Sequence, residues 1–314
     1  MAYHDKRLAP KWDKAADMRD QDDGMDDDRT ENRPFRRKAA LIAEARRPAK
    51  VEPETVAPRS QAKPAPEPAK RQTLPMTLPE PWLRLHHTSL GLRLPQKGRM
   101  PLVNLFRGDP AAKAFDVMRT RLLQTLKAKG WTRVAIAAPT EGCGATFTAV
   151  NLALSMARVP GSRTVLLDMN MRDPGIAAAL DMPARADMRG LLRGETSYLD
   201  HLIRCGDTLA IGLGAGPVRD ASELLHSQTA GAVLDEMQAE LSPDVILCDM
   251  PAVLAHDDLA AFVDSVDGVL LVADGTMTTS EHVRRCEQVL GVDVPLLGVV
   301  LNRGREAGQE NYVV

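Results

Sequence analysis

Beyond about residue 100 the chain alternates unbroken apolar runs with stretches whose apolar residues recur three and four positions apart. Phe115, Met118, Leu122 and Leu126 share one face of a helix that Gly130 ends, with Asp109 as its expected cap and Pro110 as its first residue. The run Val134 to Ala138 follows, then a glycine-bearing loop, then a helix from about Thr146 to Arg158 closed by Pro160 and Gly161. Further runs stand at Val165 to Leu167, Leu209 to Leu213, Val245 to Cys248, Val269 to Ala273 and Leu297 to Leu301, with a helical segment at Ser280 to Leu290 before the last. Strands that are apolar throughout, with no alternation, are those covered on both faces. Such strands are joined by right-handed helical crossovers. The pattern predicts an α/β fold with one doubly wound, mostly parallel sheet.

The first eighty residues differ. About 32 of them are charged, and they hold ten of the chain's 22 prolines. So few large apolar groups cannot offset an ordering entropy of roughly 1–2 kcal/mol per residue. A disordered, charged and Pro-rich tail is therefore expected over residues 1–82, with a folded domain at 83–306 and a flexible end at 307–314. An acidic cluster from Asp22 to Asp28 precedes Arg33, Arg36, Arg37 and Lys38, and a short basic helix over 36–47 is one option within the tail.

Lys and Arg total 40 and Asp and Glu 42, a net charge of −2, so the basic excess of a nucleic-acid binder is missing and no nucleic-acid partner is expected. No apolar run reaches the roughly 18 residues that span a bilayer. The opening residues lack a leader's apolar core, so a cytoplasmic location is expected. Cys143, Cys205, Cys248 and Cys286 are too scattered for a zinc site or a disulfide frame. His201, His226, His256 and His282 show no metal-ligand spacing either.

The chemistry lies at the ends of the apolar runs. The first run leads into Pro139, Thr140, Glu141, Gly142, Cys143, Gly144, Ala145, Thr146 and Phe147, the position of a P-loop between strand and helix. Gly142 and Gly144 allow backbone N–H groups to turn toward an anion, and the helix start adds about half a positive charge. Thr146 stands where a Mg2+-binding hydroxyl belongs, but Ala145 replaces the phosphate lysine. A charge-assisted hydrogen bond contributes about 1.5–3 kcal/mol, so its loss weakens phosphate binding tenfold to over a hundredfold. Asp168 and Asp249 end two later runs, and carboxylates at the C-terminal ends of parallel strands lie where such sheets bind ligands. Thr146, Asp168 and Asp249 are thus the candidate Mg2+ ligands.

Together these segments resemble the bacterial tyrosine autokinases of capsule and exopolysaccharide biosynthesis, a branch of the deviant P-loop ATPases, over about residues 100–303. Pro139 to Thr146 looks like the family's Walker A loop. Val165 to Pro174 looks like its second acidic motif, with Asp168 and Arg172 kept but Asn170 at the second acid, and Asp249-Met250-Pro251 looks like Walker B. The resemblance implies a P-loop NTPase fold, ATP and Mg2+ as cofactors, and Asp168, Asp249 and Arg172 as catalytic residues. It also implies nucleotide contacts along Thr140 to Phe147 and at Asn302, a candidate base contact, and Arg303. Arg172 or Arg303 would have to replace the missing lysine. The tyrosine-rich tail of the family is absent, since the chain has only Tyr3, Tyr198 and Tyr312. The family's oligomerisation motif reads Lys113-x-x-Asp116-x-x-Arg119, with two of three charges inverted.

Three functions follow as expectations. The first is an ATP-binding, kinase-like protein acting in or regulating exopolysaccharide export, peripherally attached to the inner membrane through a polysaccharide co-polymerase or activator and able to form homo-oligomers. The second is a catalytically dead scaffold for such a co-polymerase. The third is a partition-type positioning ATPase.

Overall fold

The computed structural model describes residues 80–90, 102, 110–184, 187–291 and 294–304. Its helices are α1 (Pro81–Arg84), α2 (Pro110–Lys129), α3 (Ala145–Met156), α4 (Ile176–Ala179), α5 (Met188–Leu192), α6 (Tyr198–His201), α7 (Ala221–Leu225), α8 (Gln228–Leu241), α9 (Asp258–Phe262) and α10 (Ser280–Leu290). Its strands are β1 (His86–Thr88), β2 (Arg133–Ala137), β3 (Thr164–Asp168), β4 (Ile203–Cys205), β5 (Leu209–Gly212), β6 (Val245–Asp249), β7 (Gly268–Asp274) and β8 (Leu296–Asn302). Among the described residues they form one eight-stranded sheet ordered β1-β4-β5-β3-β6-β2-β7-β8. Every pairing is parallel except that of β4 with β5. The doubly wound α/β expectation holds.

All but one of the apolar runs become strands for the reason read from them; the exception, Leu297 to Leu301, forms β8 at the end of the described sheet, where Val299 and Leu301 are exposed because, among the described residues, no strand or helix covers that side. Every residue of β3, β5, β6 and β7 is buried, because helices cover both faces. One core contains Ala135, Leu167, Ile246 and Leu271 with residues of α7 and α8; the other contains Ile136, Leu166 and Leu247 with residues of α2 and α3. Neighbouring strand residues thus divide between two cores, as the pleat requires. Gly130, at φ +69°, ends α2 in a backbone conformation that side chains resist. Asp109, its expected cap, lies outside the described residues, as do the 36–47 segment and the 307–314 end.

Two short strands escape the pattern. The edge strand β1, His86-His87-Thr88, has little apolar character, and β4 contains Arg204. Just before β1, Trp82 is 2 % exposed and its indole N–H donates to the Asp207 carbonyl at 2.9 Å. Core packing therefore extends at least to Trp82, one residue before the expected domain start.

The order of the strands fixes the location of the site. From β2 the chain crosses over β6 to β3, moves outward to β5, and returns to insert β6 between β3 and β2. Asp168 and Asp249 end adjacent strands in register. The loop between β2 and α3 begins beside them, at the crevice where the winding reverses.

On α2, two of the three oligomerisation-like positions, Asp116 and Arg119, are used within the chain. The Asp116 carboxylate accepts from Arg119 at 3.0 Å, from Ser155 at 2.7 Å and from Arg158. These bonds tie α2 to α3, and the adjacent cations and the Ser155 hydroxyl hold the Asp116 carboxyl below the usual carboxylate range despite its desolvation.

Candidate functional site: a glycine turn over two buried acids

The turn from Pro139 to Gly144 joins a buried strand to a 12-residue helix, and two of its glycines carry positive φ, +77° at Gly142 and +100° at Gly144. At Gly144 glycine is required twice. The backbone is left-handed there, and a Cβ would lie 2.3 Å from Asn302 Nδ2. No side chain caps α3, so its first N–H groups keep their affinity for an anion.

The far end of β8 holds the turn in place. Asn302 Nδ2 donates to the Cys143 carbonyl at 2.8 Å, and Arg303 Nη1 donates to the Gly142 carbonyl at 3.0 Å and to Asp274 Oδ2 at 2.5 Å. Arg303 adopts φ +53°, unusual for a residue with a long side chain, and completely buried Asp274 sits beneath it. The Cys143 thiol is buried against Thr140 Oγ1 and Thr278 Oγ1, at 3.3 and 3.6 Å, as a small group that fits the turn.

Beneath the turn, Asp168 and Asp249 are completely buried. Asp168 Oδ2 accepts from the Ile176 backbone at 3.0 Å, whereas Asp168 Oδ1 and both Asp249 oxygens lack a hydrogen-bond partner of normal geometry. Burial pushes the Asp168 carboxyl up to about 7; the N–H groups of Ile176, Gly214 and Gly175 pull it back, and the charge of Asp173 adds to the rise. Asp249 is pushed well above the carboxylate range by burial and then by Asp168, with the Thr146 hydroxyl acting in the opposite direction. Two facing carboxylates without a cation are an unstable arrangement, because each unpaired buried ion costs several kcal/mol.

Thr146 completes the constellation. It packs against Gly175 in the loop after β3, where a Cβ would lie 3.4 Å from the Thr146 hydroxyl. A hydroxyl, two buried acids and a nearby anion cradle match the habits of Mg2+, which binds one or two carboxylates and fills its octahedron with water and phosphate oxygens. Among the described residues no group of three or more His, Cys, Asp or Glu could hold a metal, so a cage built entirely from such side chains is not the alternative.

A cavity of about 900 Å3 opens beside Thr146, and neither Asp168 nor Asp249 is among its lining residues. Glu141, Gly142, Cys143, Gly144, Ala145, Thr146, Phe147, Arg172, Asn302 and Arg303 all line it. Thr140 packs against Cys143, and the two acids are buried behind Thr146, whose hydroxyl acts on Asp249. Ala145 leaves the turn without a lysine. Asn170, also on the wall, accepts a local bond from the Asp173 backbone at 3.3 Å. Arg172 is locked: Nε and Nη2 donate to the two oxygens of Asp258 at 2.8 and 2.7 Å. Sequence reasoning missed Asp258, whose role depends on an arginine distant in the chain, and Asp274, although Asp274 ends the apolar run Val269 to Ala273 just as Asp168 and Asp249 end theirs.

No protein-family model matches the chain. It is 27% identical over 212 residues to the putative tyrosine-protein kinase EpsB of Ralstonia nicotianae, which covers 66% of this chain and 27% of that protein. It is 28% identical over 178 residues to the succinoglycan biosynthesis transport protein ExoP of Rhizobium meliloti, covering 54% of this chain and 22% of the relative. The chain thus spans about a quarter of the length of these relatives. Among solved structures, the VpsO kinase domain superposes with a TM-score of 0.55 at 27% identity, over 64% of this chain and 99% of that one.

Proposed function

We propose that this homologue of the bacterial tyrosine-protein kinases is an ATP- and Mg2+-binding P-loop protein that acts in, or regulates, exopolysaccharide or capsule biosynthesis and export. The observation that carries the reading is the pair of adjacent, completely buried acids, Asp168 and Asp249, held beside Thr146 at the glycine turn, where among the described residues only the Ile176 N–H makes a hydrogen bond of normal geometry to them. Mg2+ bound there would neutralise phosphate charge. Thr146 and the acids would hold it, the N–H groups from Gly142 to Thr146 would cradle the phosphates, and Asn302 would meet the base end. Asp168 or Asp249 would also orient an attacking hydroxyl. A transport protein among the relatives supports a partner of the same kind here, an inner-membrane polysaccharide co-polymerase that brings the chain to the cytoplasmic face of that membrane.

A second reading, a nucleotide-binding scaffold without turnover, is favoured by two features. Ala145 supplies no charge to the terminal phosphates, and Asn170 offers no carboxylate beside them. Calorimetric titration with Mg·ATP tests what the readings share. Micromolar binding lost in Asp168→Ala and Thr146→Ala is expected, and a wild type that takes up no heat above dilution would refute both. Incubation with labelled ATP then separates them, because only the first transfers label to protein.

A further inference from the structure

The nucleotide reading leaves a charge problem: the turn carries no lysine, yet a triphosphate needs a cation beyond the metal. Three cationic candidates line the cavity. Arg303 spends Nη1 on the Gly142 carbonyl and on Asp274, so it anchors the loop. His256 Nε2 lies 3.7 Å from Glu141 Oε1 and carries charge only when protonated. Arg172 binds Asp258 through Nε and Nη2, with Asp257 Oδ1 3.8 Å from Nη2, and among the described residues no hydrogen bond leaves its Nη1. Arg303 likewise keeps Nε and Nη2 unused, so place in the cavity, not a spare donor, decides between the two arginines.

Position favours Arg172. It belongs to the loop that begins at Asp168 and reaches Thr146 through Gly175, the metal side of the cavity, where the terminal phosphates of a Mg2+-bound triphosphate would lie. Asp258 opens α9 and is completely buried, so its carboxylate is a fixed platform. A guanidinium held by a two-point fork keeps its plane and loses little further freedom when it binds a phosphate.

We infer that Arg172, oriented by the buried carboxylate of Asp258, supplies the positive charge that Ala145 withholds from the terminal phosphates of the nucleotide, which makes Asp258 a positioning residue. The inference rests on the nucleotide reading above, and the test separates the two.

Affinities for Mg·ATP and for AMP, which lacks the terminal phosphates, are measured for wild type, Arg172→Met, Arg172→Lys, Asp258→Asn and the double variant Arg172→Met with Ala145→Lys. Arg172→Met is expected to weaken Mg·ATP roughly ten- to hundredfold while leaving AMP nearly unchanged. Restoring a lysine in the double variant recovers most of that loss. Asp258→Asn, which releases the fork, and Arg172→Lys, which keeps charge without it, show smaller losses again confined to Mg·ATP; should Asp258→Asn fail to fold, the Arg172 variants carry the test. Wild-type binding of Mg·ATP with no loss in Arg172→Met overturns the inference alone. So does an equal loss for ATP and AMP that Ala145→Lys does not repair, because it marks a structural role. Absence of Mg·ATP binding in wild type overturns the nucleotide reading itself.

Discussion

Replacing Asp168 by Asn should stabilise the metal-free protein while destroying its site. Burial raises the Asp168 carboxyl from 3.8 to about 7, and each pKa unit corresponds to 1.36 kcal/mol, so the charged form costs folding roughly 4 kcal/mol at and above neutrality. The native state binds more protons than the unfolded chain between those two values. Stability from this group is therefore complete below pH 3.8 and declines as pH rises to 7. Asn keeps the shape and the acceptor for the Ile176 N–H, and removes the charge. Urea denaturation without divalent metal should show Asp168→Asn more stable than wild type by about 2–4 kcal/mol at pH 8, with the gap narrowing toward pH 4. Added Mg·ATP should close the gap from the other side, because only wild type binds it. A variant no more stable than wild type at pH 8, or a gap independent of pH, would refute the reasoning that burial makes the charged Asp168 carboxylate costly.

The remaining predictions concern the frame around the site. His201 is buried with neither ring nitrogen bonded, and burial lowers its pKa to about 4. Its unfolded form takes up protons first as pH falls below 6.5, so it should remove up to about 3 kcal/mol of stability by pH 4; His201→Leu should flatten that acid limb in denaturation curves. Trp82→Ala should cost about 3–5 kcal/mol in the same assay, and a cost under 1 kcal/mol would show that the core does not reach Trp82. Asp116→Ala should cost about 1 kcal/mol, the scale of a half-exposed polar cluster, and leave the mass in solution unchanged; a shift in oligomeric state would show that Asp116 serves contacts between copies instead.

How far the sequence revealed this protein depended on whether a feature was local. β3, β6 and β7 were legible because a strand buried on both faces must be apolar at every position, and Val165 to Leu167, Val245 to Cys248 and Val269 to Ala273 have no other economical use. Asp168 and Asp249 were legible as polar residues ending such runs. The short strands β1 and β4 were hidden, since three residues at the margin of the sheet, such as the edge strand His86-His87-Thr88 and its neighbour Ile203-Arg204-Cys205, need no apolar pattern. Asp274 carried the same strand-end signal as Asp168 and Asp249 and was passed over, but the arginine partners of Asp258 and Asp274 were hidden for another reason. They stand 86 and 29 positions away, and only the fold brings those pairs together. Arg303 and Asn302 were singled out for a nucleotide; the structure shows both also gripping the carbonyls of the glycine turn.

A crystal soaked with Mn2+ and a non-hydrolysable ATP analogue asks the question that matters most here. Anomalous scattering should locate one metal bound to the Thr146 hydroxyl and, directly or through water, to Asp168 and Asp249, with the phosphates against the N–H groups of Gly142 to Thr146. A metal settled elsewhere, or a nucleotide bound while both carboxylates stay dry and cation-free, would contradict the account.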